Sequence, residues 1–465
     1  MPGSHSHHVG RRLTCLLKGI PRPTLWLYAI TSNFVWSAAL YSPQSVHAQM
    51  LTDKISVSEV NVLKTTTLSE RQAITMALSR PAFIAAYQSQ IALAESQVLA
   101  AGLLANPTLT YGRERVDVLG DRRTEASISV SQTIDLSGRR ILRKEAAEQS
   151  AIASREDARQ NRAKVINEVR QIFADNLYKN EVIKSLSAWI VRLEHIHQKV
   201  QKMAKSGEVS GYDGRRLSRE LLTGQARLAS AKTDVVRAKT RLLGLIDLTS
   251  ATNASGQNHP GSSTSSVEIA GDLLPETTKN LQFYQTALQL RPDLTALKAQ
   301  AESYKREQQI AARTWIPELN IGLGQKRLQE TGRSYTGATL SLSIPLAVFD
   351  RGQANVAKAN ALLASSQAQS HLLMREAQSE VQGSWMQTIA LRETADNFRR
   401  ETLADTQALS RIAEKAYQAG EGSIVELLDA YRAQLDAELM GLELEWRARL
   451  ASIELDNLAG VNNHE

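Results

Sequence analysis

Two patterns of apolar and polar positions run along the chain. From Val165 to Ala204, apolar residues recur in alternating steps of three and four: Val165, Val169, Ile172, Ile183, Leu186, Ile190, Leu193, Val200 and Ala204, with Asn176, Lys179 and His197 at the remaining positions. That spacing forms one helical stripe, the seam of a coiled coil, with charged residues on the far side. The second pattern has period two. Ala126, Ile128, Val130 and Ile134 alternate with Ser127, Ser129, Ser131 and Thr133, and Gln132 is the exception on the apolar side. Ala338, Leu340, Leu342, Ile344 and Leu346 alternate in the same way with Gly337, Thr339, Ser341 and Ser343. Such alternation predicts strands with one apolar and one small, hydroxylic face. The strands before them are weaker, with Leu109 and Tyr111 in one and Leu319, Ile321 and Leu323 in the other.

The chain is a duplication. Pro81 returns as Pro292 after 211 positions, Pro107 as Pro317 after 210, Gly138 as Gly352 after 214 and Gly207 as Gly420 after 213. Each unit, 68–247 and 280–460, has the same predicted order. Helices are expected at 68–104, 139–205 and 215–247 with a hairpin at 108–134, then at 280–314, 353–418 and 424–460 with a hairpin at 318–346. Residues 49–67 read as an extended segment, and 248–279, rich in Ser, Gly, Asn and Thr, as a connector. Within each unit the two shorter helices together match the long one, so stacked end to end they form a column of roughly 100 Å.

No apolar run after residue 50 reaches the ~18 residues of a spanning helix. A membrane crossing would therefore use strands, and the alternating runs have the ~9–11 residues that a spanning strand needs. Four strands per chain cannot close around water, and open edges are excluded from lipid. The expected fold class is mainly α with a membrane β-barrel: an internally duplicated chain that must oligomerise, a trimer of which would supply twelve strands, above long columns of coiled helices. From the residues alone, a soluble hairpin on a helical stalk and a soluble coiled coil stay open.

Composition changes this picture little. Hydrophobic residues make up 42% of 465 and aromatics 5%, a balance suited to long helices. Residues 1–48 read as an export signal: Arg11, Arg12, Lys18 and Arg22, then the apolar stretch Thr24 to Leu40, then Val46-His47-Ala48 as a cleavage site. Twin-Arg export and a retained inner-membrane anchor are the competing readings. The signal holds four Lys/Arg and no Asp/Glu, so the net charge of +7 falls to +3 beyond it, and no nucleic-acid partner is expected. The single cysteine, Cys15, lies within the signal, as do His5, His7 and His8. His195 and His197 are two apart on a helix and point to different sides. No metal site, cofactor or catalytic constellation is expected: no phosphate loop, HExxH or nucleophile elbow is present.

Several segments carry a family resemblance. They are Asn106-Pro107 and Ile316-Pro317 at the strand entries, Ser131-Gln132-Thr133-Ile134-Asp135-Leu136-Ser137-Gly138-Arg139-Arg140, and Ala416-Tyr417-Gln418-Ala419-Gly420-Glu421-Gly422-Ser423. With the order of elements, they resemble the TolC-like outer membrane efflux protein family over about residues 65 to 460. The 131–140 segment and Ala101 to Glu114 are most similar to the branch serving heavy-metal pumps of the cobalt–zinc–cadmium type. The resemblance implies a homotrimeric exit duct in the outer-membrane lipid, a twelve-stranded β-barrel continuous with a long periplasmic α-barrel of coiled helices. A periplasmic adaptor and a proton-driven inner-membrane pump of the RND type would be its partners, and the connector and chain ends would form a belt around the α-barrel. It also implies a periplasmic gate with acidic rings, which by position places Asp213, Tyr417, Glu426 and Asp429 at the constriction. Gly422 departs from relatives that carry a basic residue there. Drug efflux, protein secretion and, in another class, a periplasmic coiled-coil adaptor are the alternative functions.

Overall fold

The computed structural model describes residues 66–118, 121–207, 209–247, 267–274, 277–330 and 332–461. The expected signal, Cys15 and most of the connector lie outside the described residues. The chain divides into 1–62 and 63–465, and all described residues belong to the second unit.

The first half runs β1 (Thr66–Leu68), α1 (Glu70–Leu78), α2 (Pro81–Gly102), β2 (Thr108–Val118), β3 (Asp121–Ile134), α3 (Arg139–Ser206) and α4 (Gly211–Leu245). After β4 (Val267–Ile269), the second half repeats the order. It comprises α5 (Leu281–Leu288), α6 (Pro292–Ala312), β5 (Leu319–Glu330), β6 (Arg333–Ser343), α7 (Gln353–Phe398), a π-helical turn (Arg399–Leu403), α8 (Ala404–Gln418) and α9 (Ile424–Ala459).

Several element bounds differ from expectation. The helices expected at 68–104 and 280–314 are each two helices, broken before Pro81 and Pro292. A proline lacks the N–H of a continuing helix and holds the residue before it in extended backbone. Arg80 and Arg291 accordingly have ψ of 131° and 133°, and each proline opens the next helix. The stretch expected as one helix at 353–418 carries the five-residue π turn. The helix expected at 215 starts at Gly211, because the Ser210 hydroxyl accepts the Tyr212 N–H. The strand expected to reach 346 ends at Ser343.

Helix α3 has 68 residues and is about 100 Å long. Its first part lies along α2: Gln90 Nε2 donates to the Ser154 carbonyl at 3.4 Å, and Arg155 pairs with Glu95 at 3.0 Å. Its later part lies along α4, where the Asn176 amide donates to the Ala238 carbonyl at 3.1 Å. Two short helices thus share one long partner. The halves join through α3 and α6, where Ala153, Ala296 and Ala299 cluster and Ser303 Oγ donates to the Ala146 carbonyl at 2.9 Å. Small side chains let these backbones approach.

Of the seam residues, Val169, Ile172, Leu186, Ile190, Leu193 and Val200 are buried. So are Phe173, Trp189 and Ile196, which the seam pattern omits. They are buried because α3 packs against both α4 and α9, so its apolar surface is wider than a two-helix seam.

At mid-length β1 pairs in parallel with β4, Thr66 with Val267 through Leu68 with Ile269, tying the start of the described chain to the connector's end. Leu68, Phe173, Leu177, Leu242 and Leu273 pack beneath them. Beside this core Arg170 donates to Glu70 at 2.8 Å and to Asp456 at 3.0 Å, and Arg449 also pairs with Glu70.

Candidate functional site

The four long strands form one antiparallel sheet in the order β2-β3-β5-β6. Its register sorts side chains by chemistry. Leu109, Val130, Leu323 and Leu340 form one cross-strand row, and Thr110, Ser129, Gly324 and Thr339 form the next. One face carries Leu109, Tyr111, Ile128, Val130, Ile321, Leu323, Leu340 and Leu342, while the other carries, at the same level, Thr, Ser and Gly together with Asn320. The apolar face is unprotected in the single chain: Leu340 is 75% exposed and Leu323 64%. Gln132, the exception on that face, donates its amide to the Ala105 carbonyl at 2.8 Å, so its polar end is satisfied.

The polar face is also the crowded one. A Cβ at Gly324 would run into the Ile128 carbonyl oxygen and the Ser129 backbone, and one at Gly322 into the Ser341 hydroxyl. Glycines inside a strand mark such close approaches, and here they let the sheet curl toward its polar side. The outer edges of β2 and β6 have no pairing partner among the described strands.

The second candidate region is where α3 turns into α4 and α8 into α9. Gly207 and Gly420 end the incoming helices with φ of +81° and +78°, a left-handed conformation that glycine adopts without strain. Asp213 and Glu426, 213 positions apart, are each the third residue of the outgoing helix. Glu426 closes a capping box: its carboxylate accepts the Ser423 N–H at 2.9 Å, and the Ser423 hydroxyl accepts the Glu426 N–H at 3.2 Å. Sequence reasoning missed this role, although the Ser-x-x-Glu spacing is its signature. Asp429 is exposed one turn later on the same face as Glu426.

Tyr417 is elsewhere. It is buried in the cluster of Leu193, Leu217, Ile424, Leu427, Leu428 and Tyr431, which joins both turns. Burial, and then the nearby Asp213 carboxylate, push its phenol up, and its hydroxyl is buried with no hydrogen-bond partner. The structure thus brings Tyr417 and Asp213 together, while Glu426 and Asp429 share an exposed surface. Gly422 sits tightly against the end of α8. Its N–H donates to the Ala416 carbonyl at 3.1 Å, and a Cβ there would lie 3.3 Å from the Ala416 methyl and the Tyr417 nitrogen.

One further pair is formed only by the fold. Arg432 on α9 grips Glu220 on α4 with two nitrogens, Nε donating to Oε1 at 2.8 Å. This hydrogen bond holds the Glu220 carboxyl below its ordinary value. Nothing in the sequence links two residues 212 apart in different halves. His197 Nε2 lies 2.8 Å from the Gln201 amide. Among the described residues no group of three His, Cys, Asp or Glu is placed to hold a metal, and no helix is long and apolar enough to cross a membrane.

Comparison with known proteins places this architecture. The family model described as outer membrane efflux protein matches residues 73–246 and 283–461, one stretch in each half. A relative is the cobalt-zinc-cadmium resistance protein CzcC of Cupriavidus metallidurans, 22% identical over 84% of this chain and 90% of its own. The outer membrane protein OprJ of Pseudomonas aeruginosa is 22% identical over 77% of this chain and 76% of its own. Among solved structures, CusC superposes with a TM-score of 0.66 at 17% identity, covering 87% of this chain and 95% of the other. The chain belongs to the outer membrane efflux protein family. Its place is the outer membrane and its work is transport, without catalysis.

Proposed function

We propose that the chain is the exit duct of a tripartite efflux pump, passively conducting cargo handed on from the periplasm. The observation that carries this reading is the sheet: one apolar face, one small polar face, and two open edges. Three copies pairing β6 of one with β2 of the next would close a barrel of about twelve strands, polar inside and apolar outside. Ala126 to Ile134 is about 26 Å of strand, or about 20 Å of height at the tilt usual in barrels. The exposed Leu136, Leu346, Val348 and Phe349 continue the apolar surface toward the helices. Together they suit a bilayer's apolar band of ~25 Å.

At the opposite end Asp213, Glu426 and Asp429 are the gate candidates. A trimer would gather nine carboxylates, which attract cations and resist crowding. Tyr417 and the Glu220–Arg432 pair would hold the two turns together while the gate is shut. A periplasmic adaptor and a proton-driven RND pump in the inner membrane would supply cargo and energy.

The cargo we assign is heavy-metal cations, on the likeness to CzcC and the acidic turns. A deletion strain should become sensitive to zinc, cobalt or cadmium and recover when the gene is restored. Sensitivity to drugs alone would overturn the metal assignment, and a strain as resistant as its parent to both would overturn the duct.

A further inference from the structure

Beyond the apolar band, toward the hairpin tips, the two sheet faces part company in charge. On the polar face both signs stand together, Glu114, Glu125 and Glu330 with Arg123, Lys326 and Arg333, and Lys326 pairs with Glu125. On the apolar face the same level carries Arg113, Arg115, Arg122 and Arg327 against one carboxylate, Asp117. Arg122 takes that carboxylate at 3.5 Å. Arg327 donates its Nε to the Ser334 hydroxyl at 3.0 Å and keeps its terminal nitrogens. Arg113 and Arg115 are exposed and have no hydrogen bond or ion pair among the described residues.

The register builds these groups into a basin. Arg113 on β2 and Arg327 on β5 share one row, with Ala126 of β3 between them. Two strand spacings separate the arginines by about 10 Å, and the alanine methyl leaves the gap open. Arg115 lies one row further on, about 7 Å from Arg113, beside the Thr124 hydroxyl. Directly on the other side of the basin come Tyr111 and Ile128, where the apolar band begins. Three guanidiniums this close repel one another unless an anion sits among them, and guanidinium matches phosphate with paired hydrogen bonds.

We propose that this basin binds the phosphate of an anionic lipid at the outer rim of the barrel. A phosphate over Ala126 would keep its acyl chains on the apolar rows beside it, a placement that free phosphate cannot exploit. Pairing of strand edges between copies leaves the face outward, so each copy in a barrel presents one basin. The inference rests on the membrane-spanning reading above.

The test uses the full chain, reconstituted into phosphatidylcholine vesicles containing lipid A. Insertion is scored first, and then lipid A retained per chain after extraction in mild detergent. The Arg113→Gln/Arg115→Gln/Arg327→Gln variant should lose about tenfold of that retention, since each cation near a lipid surface contributes several-fold. An Arg123→Gln/Arg333→Gln variant, altered on the opposite face at the same level, should lose none. The corresponding triple lysine variant, which keeps the charge, should retain more than the glutamine one. Equal retention by wild type and the glutamine variant would overturn the proposal. So would displacement of the lipid by inorganic phosphate, which would make this a site for the free anion. Insertion without lipid A preference defeats this inference alone, whereas failure of the wild type to insert defeats the membrane reading and this inference with it.

Discussion

Glu220 and Gly324 show what single residues contribute. The Glu220 side chain is 10% exposed and that of Arg432 40%, so solvent screens the pair and its loss is worth about 1–2 kcal/mol. Because the hydrogen bond from Arg432 holds Glu220 below its ordinary value of 4.5, this contribution is full above that pH and fades as pH falls through the lowered value. Thermal unfolding should therefore show Glu220→Gln below wild type near neutrality, with the gap closing on acidification; a gap independent of pH contradicts the assignment. Gly324→Val tests the curl of the sheet. Its Cβ would collide with the neighbouring strand's backbone, at a cost of about 2 kcal/mol or more. The yield of membrane-inserted, heat-sensitive oligomer should fall steeply, and an undiminished yield would mean the sheet does not curl there. Neither role was legible in the sequence. Glycine in an alternating strand looks like one more small residue, and an ion pair between halves has no local signature.

At the scale of elements, the pattern read best where periodicity is long. The strands with their two faces and the long α3 follow directly from spacing. The breaks at Pro81 and Pro292 were in plain view, yet as repeat landmarks they masked their role as helix starts. The start of α9 separates two roles that Glu426 combines. Glutamine also serves in a capping box, so Glu426→Gln removes charge and keeps the cap, whereas Ser423→Ala breaks the cap at a cost of about 1 kcal/mol. Hydrogen exchange of the Glu426 amide should accelerate in Ser423→Ala and stay near wild type in Glu426→Gln. Equal acceleration in both would tie the carboxylate to structure alone.

The molecule as a whole is an incomplete object, with an exposed apolar sheet face, two open strand edges and turns lined by carboxylates. The duplication made its two-part plan legible, because landmarks spaced by 210 to 214 positions forced one unit upon both halves. The proposed gate was legible only in outline. Asp213, Glu426 and Asp429 stood out by position, but their surroundings depend on packing between halves and on neighbouring copies. On the proposed reading, copies of this chain enclose a water-filled duct guarded by those acids. Single-channel recording in planar bilayers tests it most directly, comparing the purified wild-type oligomer with Asp213→Asn/Glu426→Gln/Asp429→Asn. Discrete, cation-selective openings are expected from a mostly closed wild type, with loss of that selectivity in the variant. A wild type that conducts nothing, or a variant with unchanged selectivity and closed-state behaviour, would contradict it.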